Sequence, residues 1–338
     1  TAADPNFSHS GNTTMSQTTP APIDYGHVAV LVPCYNEAVT IAQVVADFGA
    51  SLPGCRVYVF DNNSKDDTAA IARAAGATVR PVTLQGKGNV VRRQFADIEA
   101  EIYLMVDGDA TYDASAAPQL IQAVLDGADM VVGLRVAQNT KAYRPGHVLG
   151  NRMLTGFLSW LFGRACNDIL SGYRGFSRRF VKSFPILSAG FEIETELTVH
   201  ALELKTPIAE VTTRYFDRPE GSVSKLSTYK DGLRILKTMI RLFASERPLA
   251  FFGTLGAITA LLAIGLAAPV VLTWLETGLV PRFPTAILSS AMMIVAMLSV
   301  ASGLILDTVT RGRREMKMLA YLAQPDQRLA GTSRNASR

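Results

Sequence analysis

The residues best suited to chemistry in this chain are Asp107 and Asp109, two carboxylates around a glycine at the end of the apolar run 102–106. Side chains alternate along a strand, but where the chain turns out of a sheet both carboxylates can converge on one hard cation. A diphosphate and water then complete its shell. The triplet predicts Mg2+ or Mn2+ held by Asp107 and Asp109. Asp-Gly-Asp is also ordinary turn chemistry, so its neighbours carry the decision. Pro33-Cys34-Tyr35-Asn36-Glu37 offers a ring and a carboxylate for a base, and Asp61-Asn62-Asn63-Ser64 offers a carboxylate for a base or ribose. Either could equally cap a helix. Gln85-Gly86-Lys87-Gly88-Asn89 resembles a phosphate-cradling loop, without the Gly-Lys-Ser/Thr ending of a P-loop. Arg218 and Lys225 bracket a Gly/Ser loop that could close on a diphosphate, the arginine as a fork and the lysine as a point charge.

The elements needed to position these residues are legible as an alternation of short β-branched runs and helical stretches. Strands are expected at 28–32, 56–60, 78–82, 102–106 and 130–132, with helices at 39–50 and 68–75. That alternation is α/β with a mostly parallel sheet, whose ligand crevice lies outside the carboxyl ends of the strands. Pro33 to Glu37, Asp61 to Asp67 and Asp107 to Asp109 all fall at such ends.

Taken in order, Pro-x-Tyr-Asn-Glu, the acidic turn at Asp61, the Gly-Lys-Gly loop and Asp-x-Asp resemble family 2 glycosyltransferases of the GT-A, Rossmann-like fold. Asp168-Ile169-Leu170-Ser171-Gly172-Tyr173-Arg174 is similar to the Asp-x-x-Ser-Gly-x-Arg element of the polyprenyl-phosphate branch. That branch includes dolichol-phosphate mannosyltransferases and bacterial undecaprenyl-phosphate glucosyltransferases. Arg218 to Lys225 resembles its Arg-x-x-Gly-x-Ser-Lys loop, one residue longer here. The resemblance covers roughly residues 27–245. It implies donor contacts from Pro33, Tyr35, Glu37, Asp61, Asn63, Lys87, Asp107, Asp109, Arg218 and Lys225, and places Glu192 after the active site. The chain departs from the pattern at Asn62-Asn63, where many relatives have Asp-Gly, and at His147, where many have Ser beside the acceptor phosphate.

The apolar content is unevenly spread over the 338 residues. Stretches 248–275 and 283–306 carry no charge, and each exceeds the roughly 20 apolar residues that cross a bilayer. Arg234, Lys237, Arg241 and Arg247 precede the pair, and Arg311, Arg313, Arg314 and Lys317 follow it. By the positive-inside bias, both ends and everything before Arg247 lie in the cytosol and the connector 276–282 faces out; the two-span tail is similar to that of the bacterial members of the branch, which implies an inner membrane. Residues 229–243 put Leu233, Leu236, Ile240 and Phe243 on one face and Lys230, Arg234, Lys237 and Arg241 largely on another, as in a helix lying at a membrane interface. Apolar residues 153–162 rest on the membrane or form a core helix. The net charge of +4 then answers to lipid headgroups, and nucleic acid is not expected as a partner. The three cysteines have no metal spacing. The first residues lack a charged start followed by an apolar core, and they read as a disordered tail. The expected organisation is a tail over 1–26, a GT-A domain over 27–227, an amphipathic helix over 228–247, two membrane spans over 248–307 and a basic cytosolic tail over 308–338. Gly253, Gly256 and Ala257 could pack spans between subunits of a homo-oligomer.

A phosphate monoester acceptor is already largely dianionic at neutral pH. It needs positive charge to aim it at the anomeric carbon more than it needs a base. Arg135 and Arg144 are the candidates, with His147 beside them and Asp168 orienting the acceptor or acting as base. The expected function is inverting transfer of one sugar to polyprenyl (undecaprenyl) phosphate; by resemblance UDP-glucose comes first among donors, with GDP-mannose and UDP-N-acetylhexosamines close behind. A processive polysaccharide synthase is a rival, but the chain lacks Gln/Arg-x-x-Arg-Trp; a non-catalytic membrane scaffold retaining the fold is another.

Overall fold

A computed structural model of the chain describes residues 24–137, 145–163, 166–190, 192–219 and 228–325. The elements run β1 (Val28–Cys34), α1 (Ile41–Ser51), β2 (Arg56–Asp61), α2 (Thr68–Ala74), β3 (Thr78–Pro81), α3 (Lys87–Asp97), β4 (Ile102–Met105), a 3-10 turn at Ala114–Ala116, α4 (Ala117–Leu125), β5 (Met130–Ala137) and α5 (Pro145–Phe162). They continue with β6 (Arg174–Ser177), α6 (Arg178–Ser183), α7 (Ile193–Leu204), β7 (Ile208–Tyr215), α8 (Thr228–Glu246), α9 (Pro248–Thr277) and α10 (Phe283–Leu322).

The strands form one seven-stranded sheet in the order β3-β2-β1-β4-β6-β5-β7. All neighbours are parallel except β6, which runs antiparallel between β4 and β5. The parallel expectation therefore holds for six strands, and β6, which sequence reading did not anticipate, is inserted the other way. Strands buried on both faces read as continuous apolar runs, and β1 and β4 do. Alternation then sorts them between two cores. Val28, Val30 and Val32 face α1 residues Val44 and Phe48 on one side, while Ala29 and Leu31 face Val91 and Phe95 of α3 and Phe180 of α6 on the other. The chain leaves β1 toward β2 and β3 on one side and returns to β4 on the other. The switch point, where an open sheet binds its ligand, thus lies between the ends of β1 and β4.

After the sheet comes α8, then α9 and α10, both long and apolar enough to cross a membrane. They pack antiparallel along a seam of mostly small buried residues seven apart: Gly256, Ala263 and Val270 on α9, and Ser289, Ala296, Gly303 and Thr310 on α10. A Cβ at Gly256 would lie 2.9 Å from the Ala296 carbonyl, so this glycine closes the hairpin itself. Gly253 meets nothing within 4 Å, and Ala257 is exposed. Where the sequence suggests a basic tail from residue 308, α10 continues without a break to Leu322 and docks on the sheet domain. Lys317 pairs with Glu203 at 2.6 Å, Arg313 with Glu246 at 2.7 Å, and the Tyr321 hydroxyl donates to Asp129 at 2.6 Å. The Arg314 Nε–Glu203 Oε1 approach of 3.4 Å is a charge contact without hydrogen-bond alignment.

Candidate active site

The loops at the β1/β4 switch point enclose a cleft of about 450 Å3. Pro33, Tyr35, Glu37, Lys87, Asp107, Asp109, Arg135 and Arg218 all line it. Asp61, Asn63 and Asp168 do not, although Asp168 reaches the site through Arg135. Arg144 and Lys225 lie outside the described residues. His147 falls in the first turn of α5.

The carboxylate edge is built by the ends of β1 and β4. Val106 continues β4 by donating to the Leu31 carbonyl at 3.1 Å, after which the chain turns through Gly108. A Cβ on Gly108 would stand 2.7 Å from the Cys34 sulfur, so a glycine is needed for this close approach. The Thr40 hydroxyl donates to the Gly108 carbonyl at 2.7 Å and fixes the turn from the start of α1. Asp109, buried, accepts from the Thr111 hydroxyl at 2.6 Å.

Each carboxylate faces a cation. Lys87 pairs with Asp107 at 2.5 Å and with Glu194 on its other side, and Arg218 pairs with Asp109 at 2.6 Å. Burial by itself would pull the Lys87 pKa down, but the charges of Asp107 and Glu194 outweigh it and hold the ammonium well above its usual range. Arg135 grips both oxygens of Asp168 at 2.7 Å and lies over the Tyr215 ring at 5.4 Å. A carboxylate held by both oxygens in this way fixes the direction of the guanidinium that holds it.

The Asp168 to Arg174 segment enters the site because β6 is antiparallel: Arg174 pairs in register with Met105, the last residue of β4. A Cβ on Gly172 would collide with Asp107 Oδ2, and Gly172 N donates to the Tyr112 hydroxyl at 2.8 Å. Arg174, fully buried, donates to the Ser171 carbonyl and the Thr198 hydroxyl, both at 2.9 Å, and to the Ile169 carbonyl. It is therefore the internal brace of this loop. Asn62 has a comparable task. Its amide donates to the Val82 and Leu84 carbonyls at 2.9 and 2.8 Å and accepts from Gly86 N at 2.7 Å, tying the loop before α3 to the end of β2. Asn63, with φ +62°, donates to the Thr83 carbonyl at 2.8 Å and is exposed. Its left-handed backbone is one that Gly or Asn adopts readily. Asp61 Oδ1 is buried with no hydrogen-bond partner among the described residues. His200 packs against Phe180 and Phe184, and burial, helped by Lys317, pushes its pKa down to about 3.

The cleft suits a divalent cation that arrives with an anion. Its described lining carries Glu37, Asp107, Asp109, Glu192 and Glu194 against Lys87, Arg135 and Arg218. A diphosphate alone would meet excess negative charge there. Among the described residues no third acidic, His or Cys side chain joins Asp107 and Asp109 as a ligand set, so diphosphate oxygens and water would fill the shell.

Sequence reading missed Glu194, Thr195, Tyr112 and the apolar wall of Leu154 and Leu170. Glu194 carried a usable signal. With Thr198 and Ala201 at i+4 and i+7 it falls on a buried helical face, where a carboxylate requires a partner.

Residues 29–184 match the glycosyl transferase family 2 profile. The chain is 34% identical over 302 residues to glycosyltransferase AglJ of Haloferax volcanii, covering 87% of this chain and 98% of that protein. It is 26% identical over 223 residues to the dolichyl-phosphate hexose transferase of the same organism, covering 66% and 96%. In fold it is similar to glucosyl-3-phosphoglycerate synthase from Mycobacterium tuberculosis, solved with Mn2+, UDP and phosphoglyceric acid. The TM-score is 0.51 and the identity 21%, over 64% of this chain and 77% of that one. The chain belongs to glycosyl transferase family 2, as a GT-A domain followed by two long apolar helices.

Proposed function

We propose that this glycosyltransferase moves one sugar from a nucleotide-sugar donor to the phosphate of a polyprenyl lipid at the cytosolic face of the inner membrane, inverting the anomeric centre. The observation that carries the reading is the single cleft that joins Asp107 and Asp109 to Arg135 and Arg218 and is lined also by Leu154 of α5 and Thr238 of α8. Carboxylates for a donor's cation and a guanidinium for an anionic acceptor share one space with helices that lead to the apolar hairpin. The name of the dolichyl-phosphate hexose transferase relative agrees with such an acceptor.

On the donor side, Tyr35 and Glu37, with Asp61 behind them, take the base and ribose. Asp107 and Asp109 hold Mg2+ or Mn2+, which when bound supplies positive charge to the departing diphosphate. Lys87 and Arg218 exchange their carboxylates for diphosphate oxygens as the donor enters, and Lys225 closes with Arg218. On the acceptor side, Asp168 fixes the Arg135 fork, and Arg135 with Arg144 and His147 aims the lipid phosphate. A single in-line displacement inverts the configuration, and the dianionic phosphate needs no base. The bilayer takes the exposed apolar surface of α9 and α10, together with Leu236 and Ile240 of α8 and Trp160 of α5.

The test is a screen of nucleotide-sugar donors with undecaprenyl phosphate and Mn2+ or Mg2+, read by mass spectrometry of the lipid fraction. One lipid-linked monosaccharide is expected from one donor, UDP-glucose first. A polymer product, or donor binding without turnover on any lipid phosphate, sinks the reading.

A further inference from the structure

Glu192, Glu194 and Glu196 stand at alternate positions where α7 begins, and the last two hold two segments that lie against each other. Glu196 accepts from Leu187 N and Ser188 N, both at 2.9 Å, and so fixes the segment that lies against the Gly-Lys-Gly turn. Gly88 N donates to the Ala189 carbonyl at 3.1 Å, and a Cβ on Gly86 or Gly88 would collide with the carbonyls of Ala189 or Ser188. Glu194, 4% exposed, reaches across to the Lys87 ammonium. Lys87 is thereby strung between a carboxylate of the cation-binding edge and one that belongs to a helix.

We propose that Glu194 is a positioning residue that shares the Lys87 ammonium with Asp107, so that Lys87 yields Asp107 to an incoming divalent cation and turns to the donor diphosphate while remaining anchored. The inference rests on the cation and donor reading above. An ammonium held by Asp107 alone would compete with the cation for that carboxylate. A second carboxylate on its far side keeps it compensated when Asp107 is claimed, which lowers the cost of the exchange. Glu194 is placed to touch Lys87 rather than the reacting atoms. Its effect should therefore appear in cation affinity before it appears in chemistry.

The experiment measures Mn2+ binding to the detergent-solubilised full chain in the presence of saturating UDP, from the electron paramagnetic resonance signal of free Mn2+. Glu194→Gln should weaken Mn2+ binding about tenfold, the scale of losing an outer-shell partner, because Lys87 is then drawn more tightly onto Asp107. Lys87→Gln with Glu194→Gln removes competitor and anchor together, and should bind Mn2+ at least as tightly as the parent while remaining slow in sugar transfer. A purely structural role for Glu194 predicts no such recovery. Parent-like Mn2+ affinity in Glu194→Gln, or a double variant as weak as the single one, overturns the inference. If the single variant fails to fold, a double variant tenfold weaker than the parent does the same. Absence of Mn2+ binding by the parent, or binding that survives Asp109→Ala, takes down the cation reading along with it.

Discussion

The cleft and the foot of α10 are both made of carboxylates paired with cations, yet they have opposite uses. At the foot, Glu203 and Glu246 are buried at the junction of α7, α8 and α10, and Lys317, Arg313 and Arg314 meet them there. Separating those charges would leave a carboxylate without water or a counterion, so the pairs act as a fixed joint between the apolar hairpin and the sheet domain. In the cleft, Asp107 keeps 28% of its side-chain surface exposed, and Asp107, Asp109, Lys87 and Arg218 all line a space large enough for a ligand. There a cation can leave its carboxylate for a phosphate, and the carboxylate can take a metal, with no charge left uncompensated. One pairing chemistry serves as joint or as exchangeable site according to whether anything can enter beside it.

The contrast can be broken most directly at Asp109. Asp109→Ala should cut sugar transfer about a thousandfold or more, measured as lipid-linked sugar, while leaving the thermal unfolding midpoint in detergent nearly unchanged. A large loss of stability with transfer intact would reverse the roles of the two regions. At the joint the expectation is the mirror image. Lys317→Met should destabilise by roughly 3 kcal/mol in denaturant unfolding, because Glu203 stays buried with much of its compensation gone. Adding Glu203→Met should recover most of that, since an apolar pair replaces a buried ionic one at little cost.

His200, next to the joint, sharpens the comparison through pH. Its folded pKa of about 3 lies below the unfolded value near 6.5, so on acidification the unfolded chain takes up this proton first. Stability should fall as pH drops through 6.5 toward 3, by about 2 kcal/mol at pH 5. Denaturation curves of His200→Leu between pH 7 and 5 should be flatter by that amount; an unchanged slope would mean His200 does not set it. The smallest effect is expected at Gly172. Gly172→Ala pushes a methyl into Asp107, and kcat/KM for the donor should fall about tenfold without loss of fold.

The sequence by itself determined the alternation that makes the α/β sheet, the carboxylates at the end of β4, and the two apolar helices. Each of these is a local pattern: a run of β-branched residues, a charged turn after it, or twenty-odd residues without a charge. The resemblance of its ordered motifs also put Pro33, Tyr35, Glu37, Lys87, Asp107, Asp109 and Arg218 on one list of donor contacts, and of these the residues after β1 and β4 lie at carboxyl ends of parallel strands that share an edge. Partner choice was decided only in three dimensions. Nothing local indicates that β6 enters antiparallel, yet that reversal carries Gly172 onto Asp107 and lets Asp168 hold Arg135. Nor could spacing tell that Glu194, over a hundred residues after Lys87, would complete its charge, or that Arg174 of the same motif is a buried brace. Contacts between residues far apart in the chain depend on how the layers close, and a charge reads the same in sequence whether it ends in a cleft or in a joint.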